Sequence, residues 1–317
     1  MRLHLPQVRS AVLPVGGFLV LVVFFGAWQS AFLSRTNLQV MLGQGAPLLM
    51  LSLGATFVVL AGGVDLSVGA AAGMAAAVSG ILIANHNFGF AGLPLAVGVG
   101  VIAGALNAFC VTFLRLPSFI MTLGTLAIFN GVTLHVLGGQ GFFVPNLPAR
   151  DISIGQAVPH VPNAALIALC LWAAMVVVNF RTRFGRYVTA IGAGEPVAAL
   201  SGVPVFRYRA AAFIVSGAFA GCGGAFLLLQ LGSVSPLTGQ SYLLDSIAAI
   251  VIGGTALGGG VGGIPRTLLG VALLTVISNG LNVLAVSTFT QEIVKGCIVI
   301  LAVLATIDRE RMQHLIK

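Results

Sequence analysis

The sequence predicts an all-α polytopic membrane protein with about ten transmembrane helices. Of its 317 residues, 58% are hydrophobic and 7% are charged, whereas soluble domains carry about 25% charged residues. The mean hydropathy is +1.08. A spanning helix needs about 20 mostly apolar residues, so ten helices would occupy about two thirds of the chain. These observations exclude a soluble enzyme, a disordered protein and a secreted disulfide scaffold, and they predict one transmembrane domain over residues 1–317.

Ten apolar segments follow one another along the chain. The first lies within residues 10–33 and is longer than the apolar core of a signal peptide, so we expect it to be retained as a span. Glycine-rich stretches separate segments two and three and segments eight and nine, so either pair fits a broken or re-entrant helix as well as two spans. The segments are 11–33, 44–62, 66–84, 90–114, 118–138, 161–180, 210–231, 244–262, 264–286 and 291–307.

Basic residues set the predicted orientation. With the N-terminus in the cytoplasm, twelve of the 15 lysines and arginines fall on the cytoplasmic side, and only Arg35 and Arg150 fall outside. This bias follows the positive-inside rule and places both termini in the cytoplasm. It also explains the net charge of +8 without a nucleic-acid partner. The twelve are Arg2, Arg9, Arg115, Arg181, Arg183, Arg186, Arg207, Arg209, Arg266, Arg309, Arg311 and Lys317.

Glycines are arranged in two ways. Residues 62–69 and 253–260 share the pattern G-G-x-x-L-x-x-G, which indicates an internal repeat of the kind found in transporters or a chance match in a glycine-rich chain. Four other pairs, spaced G-x-x-x-G, predict close helix packing. These begin at Gly69, Gly100, Gly217 and Gly258.

Motifs for catalysis or for a bound cofactor are absent from the sequence. Neither Lys295 nor Lys317 lies in a nucleotide-binding P-loop, and the five histidines show no H-x-x-x-H spacing. The four cysteines stand singly in apolar stretches without a C-x-x-C pair. We therefore expect no enzyme site, no metal site and no cofactor in this chain.

Ionisable residues within apolar segments are costly and are candidates for function. Asp65 follows a glycine pair, where it fits either a helix cap or a pathway residue, and Asp245 allows the same two interpretations. Glu292 and Lys295 are three residues apart and are predicted to pair on one helix face. Uncharged polar residues in the spans suit a hydroxyl-rich neutral solute or hydrogen bonds between helices. They include Asn107, Thr122, Asn130, Asn279 and Asn282.

The loop over residues 181–209 predicts a short helix. Pro196 suits the first turn of a helix, Gly202 suits the position after its end, and Pro204 prevents its continuation. A helix of about two turns is not stable alone, so it must pack on a partner protein or lie on anionic lipid.

Three motifs, in the same order, resemble the ribose-type sugar permeases of bacterial ABC importers. Residues 62–69 resemble the family signature G-G-I-D-L-S-V-G, residues 195–203 resemble its cytoplasmic loop, and residues 245–255, followed by 280–282, resemble its C-terminal region. The similarity covers about residues 40–305. Pro196, Leu200 and residues 255–257 depart from the family pattern.

This resemblance implies a non-enzymatic permease of the bacterial inner membrane. Its implied partners are a second permease chain, identical or not, a periplasmic sugar-binding protein and a separate cytoplasmic ATPase that holds ATP and Mg. The implied substrate pathway contains Asp65, Asn107, Ser118, Phe119, Thr122, Asn130, Asn279 and Asn282. The ATPase-coupling loop contains Gly194, Glu195, Ala198, Ala199, Gly202 and Arg207, and Asp245 is assigned to docking at the outer face.

Three alternatives remain at this stage. An ion-coupled secondary transporter with broken helices needs no ATPase, but it needs ion-coupling residues, which are sparse here. A membrane-embedded enzyme needs a catalytic cluster. A branched-chain amino-acid ABC permease is disfavoured by the G-G-x-D-L-S-V-G motif.

Overall fold

The computed structural model describes residues 5–86, 89–144, 147 and 149–306, and these residues form thirteen α-helices. The predicted cytoplasmic residues Arg2, Arg309, Arg311 and Lys317 lie outside this range. The helices are α1 (Leu5–Trp28), α2 (Arg35–Leu60), α3 (Val68–His86), α4 (Gly92–Ala108), α5 (Ser118–Leu137), α6 (Arg150–Ile154), α7 (Asn163–Arg181), α8 (Arg183–Ala193), α9 (Glu195–Leu200), α10 (Val205–Leu231), α11 (Gln240–Ile252), α12 (Ile264–Val283) and α13 (Thr288–Thr306).

Seven of the described helices are long and apolar enough to cross a membrane, which makes the chain a multi-pass membrane protein. They are α2, α3, α4 with its continuation, α5, α7, α10 and α12. Each of the ten predicted segments overlaps a helix. The prediction for 244–262 is wrong over its second half, because α11 ends at Ile252 and glycine-rich turns occupy 253–263.

Helices α2 and α10 form the centre of the bundle. About 78% of the most apolar window of each is buried, compared with 22% for α5 and for α7. Helix α10 packs against α2, α3 and α4. Helices α2 and α10 are thus enclosed by other helices, and α5 and α7 lie at the edge.

Helices α4 and α10 approach each other at predicted glycine pairs. A methyl group on Gly217 would overlap the carbonyl oxygen of Gly100, and one on Gly104 would overlap that of Phe213. The Gly100 and Gly217 packing pairs are therefore confirmed. The Gly69 pair also allows a close backbone approach, but mainly to the turn at 238–239 rather than to a helix. The Gly258 pair is wrong as a helix contact, because it lies in the turn region between α11 and α12.

Two further local features lie just beyond the ends of helices. Helix α4 continues as one π-helical turn over Phe109–Phe113 before the corner at Arg115. Strands β1 (Phe142–Phe143) and β2 (Ser233–Val234) pair antiparallel, with Phe142 opposite Val234. This short ribbon, which the sequence did not predict, joins the segment after α5 to the segment after α10.

Candidate functional site

Helix α2 ends in a glycine turn that leads directly to Asp65. The N–H of Gly62 donates to the carbonyl of Val59 (2.9 Å) and the N–H of Gly63 to that of Val58 (3.0 Å). Gly62 has φ +78°, a left-handed conformation that favours glycine at this position. The turn therefore ends α2 and leads the chain from exposed Gly62 to buried Asp65.

Helix α11 ends in the same way. The N–H of Gly254 donates to the carbonyl of Val251 (2.8 Å) and that of Thr255 to the carbonyl of Ile250 (3.0 Å), and Gly254 has φ +91°. Gly254, rather than Gly253, is thus the geometric counterpart of Gly62. The two predicted repeats therefore share the geometry of this turn. The positions that correspond in the structure are offset by one residue from those that correspond in the sequence pattern.

The glycine-rich segment that follows the second turn meets the first turn. The N–H of Gly260 donates to the carbonyl of Leu60 (3.0 Å), and Gly259 lies against the backbone of Gly62 and of Gly192, near the end of α8. A side chain on Gly259 or Gly192 would collide with backbone here. Helix α8 thus contacts both the first turn and the segment after the second turn.

Asp65 lies buried just beyond the first turn, with 4% of its surface exposed. Its Oδ1 accepts hydrogen bonds from the backbone N–H of Ser67 (3.0 Å) and from the Ser67 hydroxyl (2.7 Å). Its Oδ2 accepts from the Ser216 hydroxyl on α10 (2.8 Å). Three donors compensate much of the cost of burying the carboxylate. The N–H of Ser67 precedes α3, so this bond is local but does not cap the helix itself.

The polar contacts continue across two more helices. Asn107 on α4 donates to the Ser67 hydroxyl (2.7 Å), and Thr125 on α5 donates to the Asn107 carbonyl oxygen (2.7 Å). We call these five residues, Asp65, Ser67, Asn107, Thr125 and Ser216, the Asp65 cluster. It links the α2–α3 turn to α4, α5 and α10 through hydrogen bonds between uncharged groups and one carboxylate.

Two other predicted pathway residues border the cluster. The Ser118 hydroxyl accepts from the N–H of Val64 (3.1 Å), and the Thr122 hydroxyl donates to the Val64 carbonyl (3.2 Å). Both fix the first turn of α5 against the segment before Asp65. The structure therefore brings together four of the predicted pathway residues: Asp65, Asn107, Ser118 and Thr122.

The other four predicted pathway residues lie elsewhere. Phe119 is 56% exposed on the outer side of α5, and Asn130 is half-buried further along that helix. Asn279 exchanges hydrogen bonds with Asn37 on α2 (2.8 and 3.0 Å), about 22 Å along α12 from its first residue. Asn282 accepts from Gln291 (2.8 Å). Both asparagines make the interhelical contacts that were the alternative interpretation.

A cavity of about 770 Å³ lies beside the first glycine turn. Gly62, Gly63 and Ser118 line one side, and Glu195 and Arg209 line the other. Arg115, at the corner between α4 and α5, also borders it and has φ +57°. The cavity thus joins the entrance of the Asp65 cluster to the short helix of the 181–209 loop.

The predicted loop helix is present as α9. Pro196 lies in its first turn, Gly202 has φ +81°, and the N–H of Val203 donates to the carbonyl of Ala198 (3.1 Å). Ala198 is buried, whereas Leu200 is 90% exposed and Gly194, Ala199 and Arg207 lie at or near the surface. Among the described residues, the outward face of α9 is exposed and can contact a partner protein or lipid.

Glu195 forms an ion pair that the sequence did not predict. Its Oε2 lies 2.6 Å from Nη2 of Arg209, in the second turn of α10. Arg207, the residue predicted to act in the loop, is instead exposed. The sequence holds five arginines near α9, and their spacing alone does not select the one that pairs.

Asp245 occupies a buried ion pair rather than an exposed docking position. Its Oδ2 lies 3.0 Å from Nζ of Lys295 on α13, and the two side chains are 13% and 9% exposed. Lys295 also lies 3.3 Å from Glu292, which confirms that predicted pair. The assignment of Asp245 to docking is therefore corrected, because burial leaves its carboxylate little surface for a partner.

Metal-binding clusters are not found among the described residues, where no three His, Cys, Asp or Glu side chains gather at one point. The four cysteines, Cys110, Cys170, Cys222 and Cys297, are free thiols. Among the described residues, the buried or largely buried charged side chains are thus Asp65 in its cluster and the Asp245–Lys295 pair.

Comparison with known proteins identifies the family. Residues 37–303 match the family described as the branched-chain amino acid transport system / permease component, and the chain belongs to it. It is 35% identical to the ribose import permease protein RbsC of Bacillus subtilis over 98% of this chain and 96% of that protein. It is 34% identical to the D-allose transport system permease protein AlsC of Escherichia coli over 90% of this chain and 87% of that one.

A third relative, the ribose import permease protein RbsC of Escherichia coli, is 32% identical over 90% of both chains. No solved structure matched the chain. The chain is thus a permease component of the ABC-importer class and a multi-pass protein of the inner membrane.

Proposed function

We propose that this chain moves a monosaccharide or a similar neutral polar solute into the cytoplasm. The observation that carries the proposal is its similarity, over 98% of its length, to a ribose import permease, together with similarity to an allose permease. The Asp65 cluster supports it, because four of its five members are uncharged hydroxyl or amide groups of the kind that hydrogen-bond sugars.

Transport requires partners that are separate chains. We propose that a second permease chain, identical or not, pairs with this one, that a periplasmic sugar-binding protein delivers the sugar, and that a cytoplasmic ATPase with two nucleotide sites supplies the energy. ATP and Mg would bind to that ATPase, since the present sequence has no P-loop. The permease itself then acts without catalytic residues or a cofactor of its own.

The proposed topology is the one that the basic residues predict. Ten spans with both termini in the cytoplasm place the 181–209 loop, α9 and the 770 Å³ cavity on the cytoplasmic side. The Asp65 cluster then lies at the inner end of the pathway, next to the face where the ATPase docks. Sugar would leave through the cavity once the α2–α3 turn and α10 separate.

A branched-chain amino acid is the second candidate substrate, because the matching family carries that description. An amino acid is a zwitterion and requires charged groups of both signs in its pathway. Among the described residues, the Asp65 cluster offers one carboxylate and no cation. At the Asp65 cluster a neutral solute is therefore favoured, and the charged side chains of Arg115, Glu195 and Arg209 line only the cavity beside it.

Reconstitution tests this proposal. The chain is co-purified with the ATPase and binding protein encoded beside it and placed in liposomes, and uptake of labelled ribose, allose, galactose and leucine is measured with and without ATP. We expect ATP-dependent uptake of a sugar. Uptake of leucine alone would select the second candidate, and uptake driven by an ion gradient without ATP would refute both.

A further inference from the structure

We propose that α10 is the lever that transmits movement of α9 to the Asp65 cluster, with Arg209 and Ser216 as its two positioning residues. The inference rests on the proposed ATP-driven transport and adds a physical route through the chain. It assigns a role to two residues that the sequence motifs do not mark.

The first step is the corner between α9 and α10. Only four residues, 201–204, connect the helices, and the N–H of Val203 closes the turn on Ala198 (3.1 Å). The Glu195–Arg209 ion pair then joins the start of α9 to the second turn of α10 (2.6 Å). A short turn at one end and an ion pair at the other hold α9 and α10 as one unit, so a pull on α9 moves α10.

The second step is the position of Ser216 on α10. It lies seven residues beyond Arg209, which is about 10 Å along the helix, and its hydroxyl donates to Asp65 (2.8 Å). Ser216 is fully buried, and its Cα faces Gly54 of α2 so closely that a side chain there would not fit. Movement of α10 along or away from α2 therefore strains or breaks the bond to Asp65.

The third step is the contact between α10 and α4. The glycines at 217 and 221 pack against those at 100 and 104 with backbone touching backbone. Helix α4 carries Asn107, which bonds to Ser67. Close-packed interiors transmit displacement rather than absorb it, so α10 acts on the cluster both through Ser216 and through α4.

The test measures coupling, defined as sugar transported per ATP hydrolysed, in the reconstituted complex. We expect Arg209→Gln to lower this ratio about threefold to fivefold while the ATPase still co-purifies, and the swap Glu195→Arg with Arg209→Glu to restore it. We expect Ser216→Ala to lower it about tenfold. The matched control is Ser79→Ala, because buried Ser79 bonds only to carbonyls of its own helix.

A crosslinking experiment tests the inference separately from the single variants, whose ratio of sugar transported to ATP hydrolysed also falls if folding or assembly is impaired. The four native cysteines are replaced by alanine, and Glu195→Cys with Arg209→Cys is joined by a short bis-maleimide. If α9 and α10 move as one unit, crosslinking restores coupling to the value of the cysteine-free parent. Crosslinking that abolishes transport, or wild-type coupling in both Arg209→Gln and Ser216→Ala, would overturn the lever.

Measurements on the wild-type complex distinguish failure of the proposed function from failure of the proposed role of α10. If the wild-type complex shows no ATP-driven sugar uptake, the proposed function fails and the lever fails with it. If the wild type transports sugar and the variants couple normally, the lever fails alone.

Discussion

Asp65 shows how one residue is defined by partners at very different distances along the chain. Its contacts with Ser67 are local and follow from the motif that contains both. Its contact with Ser216 spans 151 residues and depends on how α10 packs against α2. The carboxylate therefore fixes Ser67, the residue before α3, and links it to α10.

Replacing Asp65 tests these contacts. Asp65→Ala leaves two buried hydroxyls and one N–H without their acceptor, so we expect a loss of about 1.5–3 kcal/mol of stability. Asp65→Asn retains an oxygen that can accept from Ser67 and should lose less. Thermal unfolding of the purified chain in detergent measures both. Exposed Asp151→Ala is the control, and equal effects of all three variants would contradict this role.

Lys295 offers a second test at a single position. Lys295→Met leaves the buried Asp245 without its cation, and we expect a loss of about 3–5 kcal/mol. The double variant Asp245→Leu with Lys295→Met removes both charges and should recover most of that stability. The same unfolding measurement applies. A double variant as unstable as Lys295→Met would show that the pair contributes more than mutual neutralisation.

Among whole elements, glycine spacing determines how closely α4 and α10 pack. Gly98 and Gly100 lie on the same helix, yet a methyl group on Gly98 meets nothing within 4 Å, whereas one on Gly100 would overlap the backbone of Gly217 and Gly221. The sequence predicts the packing pair at 100 and 104. The structure shows that this pair contacts the face of α10 that contains Gly217 and Gly221.

The two glycines form a matched pair of substitutions. We expect Gly100→Ala to force α4 and α10 apart and to lower the unfolding temperature or prevent folding, because overpacking costs about 1–3 kcal/mol or more. Gly98→Ala should be neutral or stabilising by up to about 1 kcal/mol, from helix propensity. Similar melting curves for both variants would show that the close helix contact is not required.

For the whole molecule, the distribution of basic residues predicts an even number of spans. The seven helices that meet the length and hydropathy criteria do not decide this number, because α11 has 13 residues and the described part of the chain stops at 306. Orientation is set by the loops during insertion rather than by helix packing.

A reporter fusion measures the orientation. A fluorescent protein fused after Lys317 should fold and fluoresce, and an alkaline phosphatase fused at the same place should be inactive, if that end is cytoplasmic. Fusion after residue 150, in the segment that follows α5, should give the reverse result. Phosphatase activity at both sites would contradict ten spans with both ends inside.

Composition and local spacing determined much of this protein. They predicted a membrane bundle, ten apolar segments that each overlap a helix, the break at the glycine pair before Asp65, helix α9 with Pro196 and Gly202, and the Glu292–Lys295 pair. Each of these depends on residues close together in the chain, so propensity, hydropathy and capping rules apply directly. The resemblance carried by residues 62–69, 195–203 and 245–255 likewise needed only the order of residues.

Tertiary structure decided which distant residues meet. Ser216 donates to Asp65, and Glu195 pairs with Arg209 rather than with Arg207. Asp245 is largely buried against Lys295. Asn279 and Asn282 make contacts between helices away from the Asp65 cluster. The physical reason is that a hydrogen bond or ion pair across helices depends on the rotation and axial shift of each helix. Those are fixed by backbone contacts such as Gly100 against Gly217, which involve many residues at once and leave no local pattern at the polar positions.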